Sequence, residues 1–438
     1  MVKFVKKTSK SFIGEIEVAP DKSISHRSII FASLANGITK IYNLLEGEDV
    51  LNTINAMKLM GVEITKKTDY YEVIGSGIAG LCEPNNIIDM GNSGTSSRLL
   101  AGLVCPYNFT SFFTGDHSLR KRPNGRVFEP IRQFGAQVIA KQNNFMPFAI
   151  IGNENAIPIE YVMKMASAQV KSCILLASLR VRGTTTIFEP EKCRDHTEIM
   201  MQYLGLKLSL QSWQSNSQQS GTKISYNGLQ EFNAKDFFIP NDISSASFFI
   251  VACLLVKNSK IILKKIGINP LRTGLVTTLK EMGANIEYQN TREIGGELVA
   301  DILVESSNLS AVDVPIHRSS SMIDEFPILA IACAFANGIS RLNGLAELKV
   351  KESNRLKMIA DNLKNCGVEV KIGDDYLEIK GGFAMPKNPV PIITAMDHRI
   401  AMSFSIMGLC LENGINLDDD EMIKTSFPNF EKILSQVL

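Results

Sequence analysis

Several short stretches of this chain place bases, hydroxyls and glycines together in a way that suits an anion. In PDKSISHRS (residues 20–28), Lys22, Ser23 and Arg27 surround the start of a helical pattern that continues through IIFASLANG. Pro20 and Asp21 close a turn, and Ser23 or Ser25 can cap the helix. A helix start offers free backbone N–H groups, and nearby cations reinforce its pull on negative charge. DMGNSGTSSRLLAG (89–102) repeats the logic with Gly94 and Arg98 ahead of an apolar helix, but lacks the Gly-Lys-Ser/Thr ending of a P-loop. GDHSLRKRPNGR (115–126) is a basic loop containing Arg122, SAQVKS (167–172) caps an apolar helix, and EKCRDHTE (191–198) opens another. Asp324 and Glu325 sit where a polar loop enters an apolar helix. KESNR reads as one turn with Lys351, Glu352 and Arg355, and Arg399 stands at the start of another apolar run. Cations in this number, with at least two carboxylates, suit substrates bearing several negative charges and acid–base chemistry between them.

These stretches need a frame to carry them. KLMGVEI, RQFGAQV, QYLGLKL, KEMGANI and KNCGVEV each end an amphipathic segment with a glycine (Gly61, Gly135, Gly205, Gly283, Gly367) and begin a strand. The spacing predicts a left-handed residue closing a helix and a repeated strand–helix–strand unit, at intervals of roughly 70 to 85 residues. A sixth copy is expected across the termini, with TSFPNFEKILSQVL as its helix and FIGEIEV (12–18) as its strand. The class is α/β, with two similar halves of three units each. The expected domains are 21–240 and the discontinuous pair 1–20 and 241–438, with a ligand site in the cleft between the halves.

Bulk composition limits the alternatives. The chain has 438 residues, 45% hydrophobic and 21% charged, with 46 basic against 45 acidic side chains and a net charge of +1. Nothing there indicates nucleic acid, so anion binding must be local. Eight cysteines lack C-x-x-C spacing, which argues against a zinc site or disulfide framework and for reduced thiols in the cytoplasm. FFIVACLLV is about half the length of a membrane span and reads as core.

Taken in order, DKSISHR, GNSGT-x-x-R, RP-x-G, SAQVKS, RDHTE, IDE-x-P, ELKVKES-x-R and DHRIAM resemble the 5-enolpyruvylshikimate-3-phosphate synthase family from about residue 11 to the C-terminus. The resemblance implies two domains, each of three βαβαββ units (an inside-out α/β barrel), and transfer of an enolpyruvyl group from phosphoenolpyruvate to the 5-hydroxyl of shikimate 3-phosphate. It further implies that Lys22, Ser23, Arg27, Ser167, Ala168, Gln169, Arg194, Asp324 and Lys351 bind shikimate 3-phosphate. Phosphoenolpyruvate falls to Lys22, Gly94, Arg122, Gln169, Arg355 and Arg399. Asp324 becomes the base, while Glu352, alone or with Lys22, handles the proton at C3. No cofactor or metal is implied, nor any nucleic-acid or membrane partner, and a monomer is expected.

The chain departs from the tolerant subclass of that family at Gly94, where alanine is usual. It departs also at Pro20-Asp21-Lys22 and at Asn269-Pro270-Leu271-Arg272, so partial sensitivity to glyphosate is expected. Near the end, Thr425 occupies a position that is often a phosphate-binding lysine, with Lys424 one residue earlier. The related UDP-N-acetylglucosamine enolpyruvyl transferases rely on a loop cysteine that GDHSLRKRPNGR lacks. An RNA cyclase would show a basic surface, and a non-catalytic scaffold would not need acids and arginines gathered at helix starts.

Overall fold

The computed structural model describes residues 3–214 and 220–437. The chain divides into two compact units. The N-half unit is Pro20–Ile239 with Ile294–Glu297; the C-half unit is the chain up to Ala19, Pro240–Glu293 and Leu298 onward.

Each unit contains three repeats of two helices and one small sheet. In the N-half unit the first repeat has α1 (Lys22–Leu34) and α2 (Glu48–Leu59), the second α3 (Gly94–Val104) and α4 (Gly125–Gln133), and the third α5 (Ala168–Ser178) and α6 (His196–Tyr203). The C-half unit follows with α7 (Ile243–Leu255) and α8 (Gly274–Glu281), α9 (Phe326–Phe335) and α10 (Arg355–Asn365), then α11 (His398–Cys410) and α12 (Phe430–Val437). The second repeat shows the topology: strands Ile88–Asp89, Thr110–Thr114, Phe145–Ile151 and Gln137–Lys141 lie side by side, the first pair parallel and the rest antiparallel. That is a βαβαββ unit. The same spatial pattern recurs in the other four-stranded sheets, although in the first repeat the parallel edge strand, Phe237–Phe238 beside Ile41 and Tyr42, comes from the end of the unit.

One expectation is corrected. The strand Ile13–Ile16, from FIGEIEV, lies parallel to Lys260–Leu263 and so opens the fourth repeat, not the sixth. The sixth sheet is completed by Lys3–Val5, antiparallel to Ile415–Leu417, although α12 does pack on Ile13–Ile16. Alternation in a short strand marks a face and leaves the partner edge open.

The five repeat glycines end α2, α4, α6, α8 and α10 with φ between +84° and +99°, as the sequence spacing predicts. The two helices of each repeat differ in kind. Helix α9, FPILAIACAF, is buried from Phe326 through Ala334, and α1, α3, α5, α7 and α11 are buried along nearly their whole length. A helix apolar on every side belongs in a core. Helix α3 packs on α5, and α7, α9 and α11 pack on one another. The second helix of a repeat is amphipathic: α10 buries Leu356, Ile359, Ala360 and Leu363, one stripe at i, i+3, i+4 and i+7. Polar residues on the central helices are therefore concentrated at their N-terminal ends, where a strand-to-helix loop brings in the motif residues. All eight cysteines are unpaired. Among the described residues no helix is long and apolar enough to cross a membrane.

Candidate active site

In the N-half unit, Asp21 caps α1, accepting the Ile24 amide at 2.8 Å. The cap is thus neither Ser23 nor Ser25; the Ser25 hydroxyl accepts the Leu45 amide instead, at 3.2 Å. With Asp21 as cap, Lys22 is the first helical residue, and its ammonium pairs with Asp49 in the first turn of α2. Arg27 is buried one turn on. Its Nε donates to Thr197 Oγ1 at 2.8 Å, Nη2 to Ser172 Oγ at 2.8 Å and Nη1 to the Ser23 carbonyl at 2.9 Å. Burial pushes its pKa down to about 10, opposed chiefly by Glu198 and Asp21.

Gly94 begins α3 after the cap Ser93. A Cβ placed on Gly94 would stand 3.1 Å from Arg98 Nη1 and 3.4 Å from Arg122 Nη1, so two guanidinium groups approach its backbone. Arg98 donates to Gln169 Oε1 at 2.7 Å and to the Pro123 carbonyl at 3.2 Å. Arg122 donates to Asn92 Oδ1 at 2.6 Å and Ser118 Oγ at 3.2 Å. The structure thereby brings Gly94, Arg122 and Gln169 together through Arg98. Ser167 caps α5 and Ala168 opens it. Arg194 lies two residues before α6. A buried chain links the helix starts: His26 Nδ1 meets Thr53 Oγ1 at 2.8 Å and Ser96 Oγ at 3.1 Å, and Ser96 meets Ser93 Oγ at 2.7 Å.

The C-half cluster centres on Asp324. Lys351 Nζ and Arg355 Nη1 each lie 3.4 Å from its Oδ1, and Arg399 Nη1 donates to its carbonyl at 3.0 Å. Arg355 is 1% exposed and also meets Glu352 Oε2 at 2.5 Å and Asp397 Oδ2 at 2.8 Å. Burial alone would lower its pKa; the carboxylates of Asp397, Glu352 and Asp324 outweigh burial and raise it. Asp397 caps α11 by accepting the Arg399 amide at 3.0 Å. Glu325 stands at the cap position of α9 without capping it. It accepts from the Ser244 hydroxyl and lies 3.6 Å from Arg399 Nη1.

KESNR is not one helical turn. Asn354 caps α10 by accepting the Lys357 amide at 3.2 Å, so Lys351 to Ser353 form a bend before the helix. Lys351 and Arg355 nonetheless share a partner, Asp324. Lys424 is exposed and paired with Glu421 at 2.6 Å. Sequence reasoning singled out neither Asp49 nor Asp397 and gave Arg98 no place in the site. Asp49 and Asp397 resemble ordinary helix-start acids, and nothing local shows that each faces a cation 27 or 42 residues away.

Arginines and a lysine at helix starts in the N-half unit, and in the C-half unit a carboxylate held between two cations, are residue types that suit multiply anionic substrates and proton transfer. A family model described as EPSP synthase (3-phosphoshikimate 1-carboxyvinyltransferase) matches residues 6–434. A 3-phosphoshikimate 1-carboxyvinyltransferase of Gluconobacter oxydans is 46% identical over 431 residues, covering 98% of this chain and 96% of the relative. That of Paramagnetospirillum magneticum is 45% identical over 423 residues, covering 96% and 94%. Among solved structures, an EPSP synthase from Acinetobacter baumannii superposes with a TM-score of 0.86 at 40% identity, covering 99% of this chain and 97% of that one. The chain belongs to the EPSP synthase family.

Proposed function

We propose that this chain transfers the enolpyruvyl group of phosphoenolpyruvate to the 5-hydroxyl of shikimate 3-phosphate, with phosphate as the second product. The observation that carries the residue assignment is Asp324: a carboxylate at the start of α9, flanked by Lys351 and Arg355, with Arg399 on its backbone carbonyl. Lys351 and Arg355 on either side hold the carboxylate in place.

Asp324 takes the proton of the 5-hydroxyl as that oxygen bonds to C2 of phosphoenolpyruvate. A proton from Glu352, alone or with Lys22, goes to C3, giving a tetrahedral adduct. The C2–O bond to phosphate then breaks and C3 returns a proton, restoring the double bond. Lys22, Ser23, Arg27, Ser167, Ala168, Gln169, Arg194 and Lys351 hold shikimate 3-phosphate. Lys22, Gly94, Arg122, Gln169, Arg355 and Arg399 hold phosphoenolpyruvate, whose carboxylate and phosphate match the forked donors of arginine. No metal or cofactor enters this scheme, and the enzyme acts as a cytoplasmic monomer. The sister activity on UDP-N-acetylglucosamine finds no loop cysteine here and is not favoured by the family match.

The test is phosphate release from the two substrates, with single-substrate controls and the Asp324→Asn variant. Release should require both substrates. The variant should lose about 10²- to 10⁴-fold in turnover, the span for a general base, while still binding shikimate 3-phosphate. Normal turnover in Asp324→Asn would remove Asp324 from the base role.

A further inference from the structure

Behind Arg27 and Arg194 lies a set of buried ions that the reaction itself does not use. Lys171, 1% exposed in the second turn of α5, lies 2.7 Å from Glu189 Oε1 and 2.7 Å from Glu198 Oε1, and donates to the Cys193 carbonyl at 3.1 Å. An ammonium has three N–H donors, and here three acceptors surround it. Glu189 Oε1 in turn accepts the Cys193 amide at 3.1 Å and its thiol at 3.1 Å. Cys193 is therefore gripped by both backbone groups, its N–H by Glu189 and its C=O by Lys171. That carbonyl belongs to the planar peptide whose nitrogen is the amide of Arg194.

The other end of the same loop is tied to the same helix. Ser172, next to Lys171, meets Thr197 at 2.7 Å, and both accept from Arg27. Thr197 adjoins Glu198. Glu198 is also the leading favourable charge on the buried Arg27 guanidinium, so the cluster and Arg27 are electrostatically linked. Apolar packing could bury this volume at no greater cost, because ion groups out of water carry a desolvation penalty. Apolar side chains could not, however, fix the direction of a peptide carbonyl in a loop with no regular structure of its own.

We propose that Lys171, Glu189 and Glu198 are positioning residues: a buried clamp that sets the peptide plane at 193–194 and so aims Arg194 at shikimate 3-phosphate. The inference rests on the reading above that Arg194 binds that substrate. The experiment uses the full chain in four forms: wild type, Lys171→Met with Glu198→Gln (one positive and one negative charge removed together), Arg194→Gln, and the triple variant. Binding of shikimate 3-phosphate to the enzyme alone is measured by calorimetry, and kcat and the phosphoenolpyruvate KM by phosphate release.

The clamp pair should raise the Kd for shikimate 3-phosphate about tenfold while leaving kcat and the phosphoenolpyruvate KM within about twofold, and the triple variant should bind no worse than Arg194→Gln alone, the non-additivity of groups acting through one residue. An unchanged Kd in the clamp pair, beside a clear loss in Arg194→Gln, overturns the clamp alone. So does a triple variant that multiplies the two losses, or a fall in kcat and both substrate affinities together, which marks a fold staple. An unchanged Kd in Arg194→Gln overturns the substrate role of Arg194 and the clamp with it. If the pair does not fold, Glu189→Gln carries the same test, with an expected loss of about threefold and the same non-additivity with Arg194→Gln.

Discussion

The two units build their site residues from similar helix starts but partner their cations differently. In the N-half unit, Arg27 is held by two hydroxyls and a carbonyl, Arg122 by an amide and a hydroxyl, and Arg98 by an amide and a carbonyl. In the C-half unit, Arg355 meets three carboxylates, Lys351 meets Asp324, and Arg399 lies beside Glu325. Lys22 with Asp49, and the buried Lys171 with Glu189 and Glu198, are N-half cations that do meet carboxylates. Hydroxyl, amide and carbonyl partners orient these guanidinium groups through their N–H donors, and for Arg27 the leading favourable charges are Glu198 and Asp21. Carboxylate partners offset the positive charge of the C-half cations. The contacts of the N-half arginines are thus mainly with hydroxyls, amides and carbonyls, and those of the C-half cations mainly with carboxylates.

The largest expected difference is in stability. Arg355→Met leaves Asp397, which is fully buried, with the Ser353 hydroxyl and the Arg399 amide as its side-chain partners among the described residues. Loss of one partner from a buried ion cluster costs about 3–5 kcal/mol. Arg27→Met leaves Ser172 and Thr197 still bonded to each other, so the loss should stay near 1–3 kcal/mol. Urea unfolding of the two variants measures both. Equal losses would erase the distinction between the units.

A smaller effect is expected where two N-half arginines converge. Gly94→Ala puts a methyl 3.1 Å from Arg98 Nη1, a group already engaged with Gln169, and 3.4 Å from Arg122 Nη1. The guanidinium groups must give by a few tenths of an ångström. The phosphoenolpyruvate KM should rise about fivefold, roughly 1 kcal/mol, with shikimate 3-phosphate binding within about twofold. Inhibition by glyphosate should weaken by a larger factor than the KM rises. Equal factors for inhibitor and substrate would mean that the methyl shifts the arginines and does not discriminate between the two ligands.

Much of this was legible in the sequence, and the gaps follow a pattern. The five closing glycines could be recognised because a left-handed helix end is a local property, and each has the expected φ. The motif residues Lys22, Gly94, Ser167, Asp324 and Arg399 fall at helix starts because polar residues before an apolar run mark that boundary. What could not be read was pairing. The edge that receives Lys3–Val5, the carboxylate facing Lys22 and the one gripping Arg355 all depend on residues distant in the chain. Even the α1 cap was ambiguous, since Asp21, Ser23 and Ser25 are all competent. Asp21 wins because its carboxylate reaches the Ile24 amide while Ser25 is committed to Leu45.

The buried hydroxyl chain of the N-half unit also bears on titration. His26 is fully buried, and its pKa is held well below the usual value, first by burial and then by Lys22 and Arg27, with Asp21 opposing. In the unfolded chain the same ring titrates near 6.5. The folded state therefore binds fewer protons than the unfolded one below that pH, so this contribution is complete above about 6.5 and is lost as pH falls. Between pH 7.5 and 6.0 the loss is about 0.8 kcal/mol from this group alone. Other groups titrate as well, so the useful quantity is a difference between proteins. His26→Gln keeps a polar side chain near Thr53 and Ser96 but cannot titrate. The stability gap between wild type and His26→Gln should narrow by about 0.8 kcal/mol over that interval, read from urea midpoints at the two pH values. A gap that holds constant would mean that His26 accepts its proton inside the fold. The N-half interior would then tolerate charge at the place where the hydroxyl chain joins α1, α2 and α3.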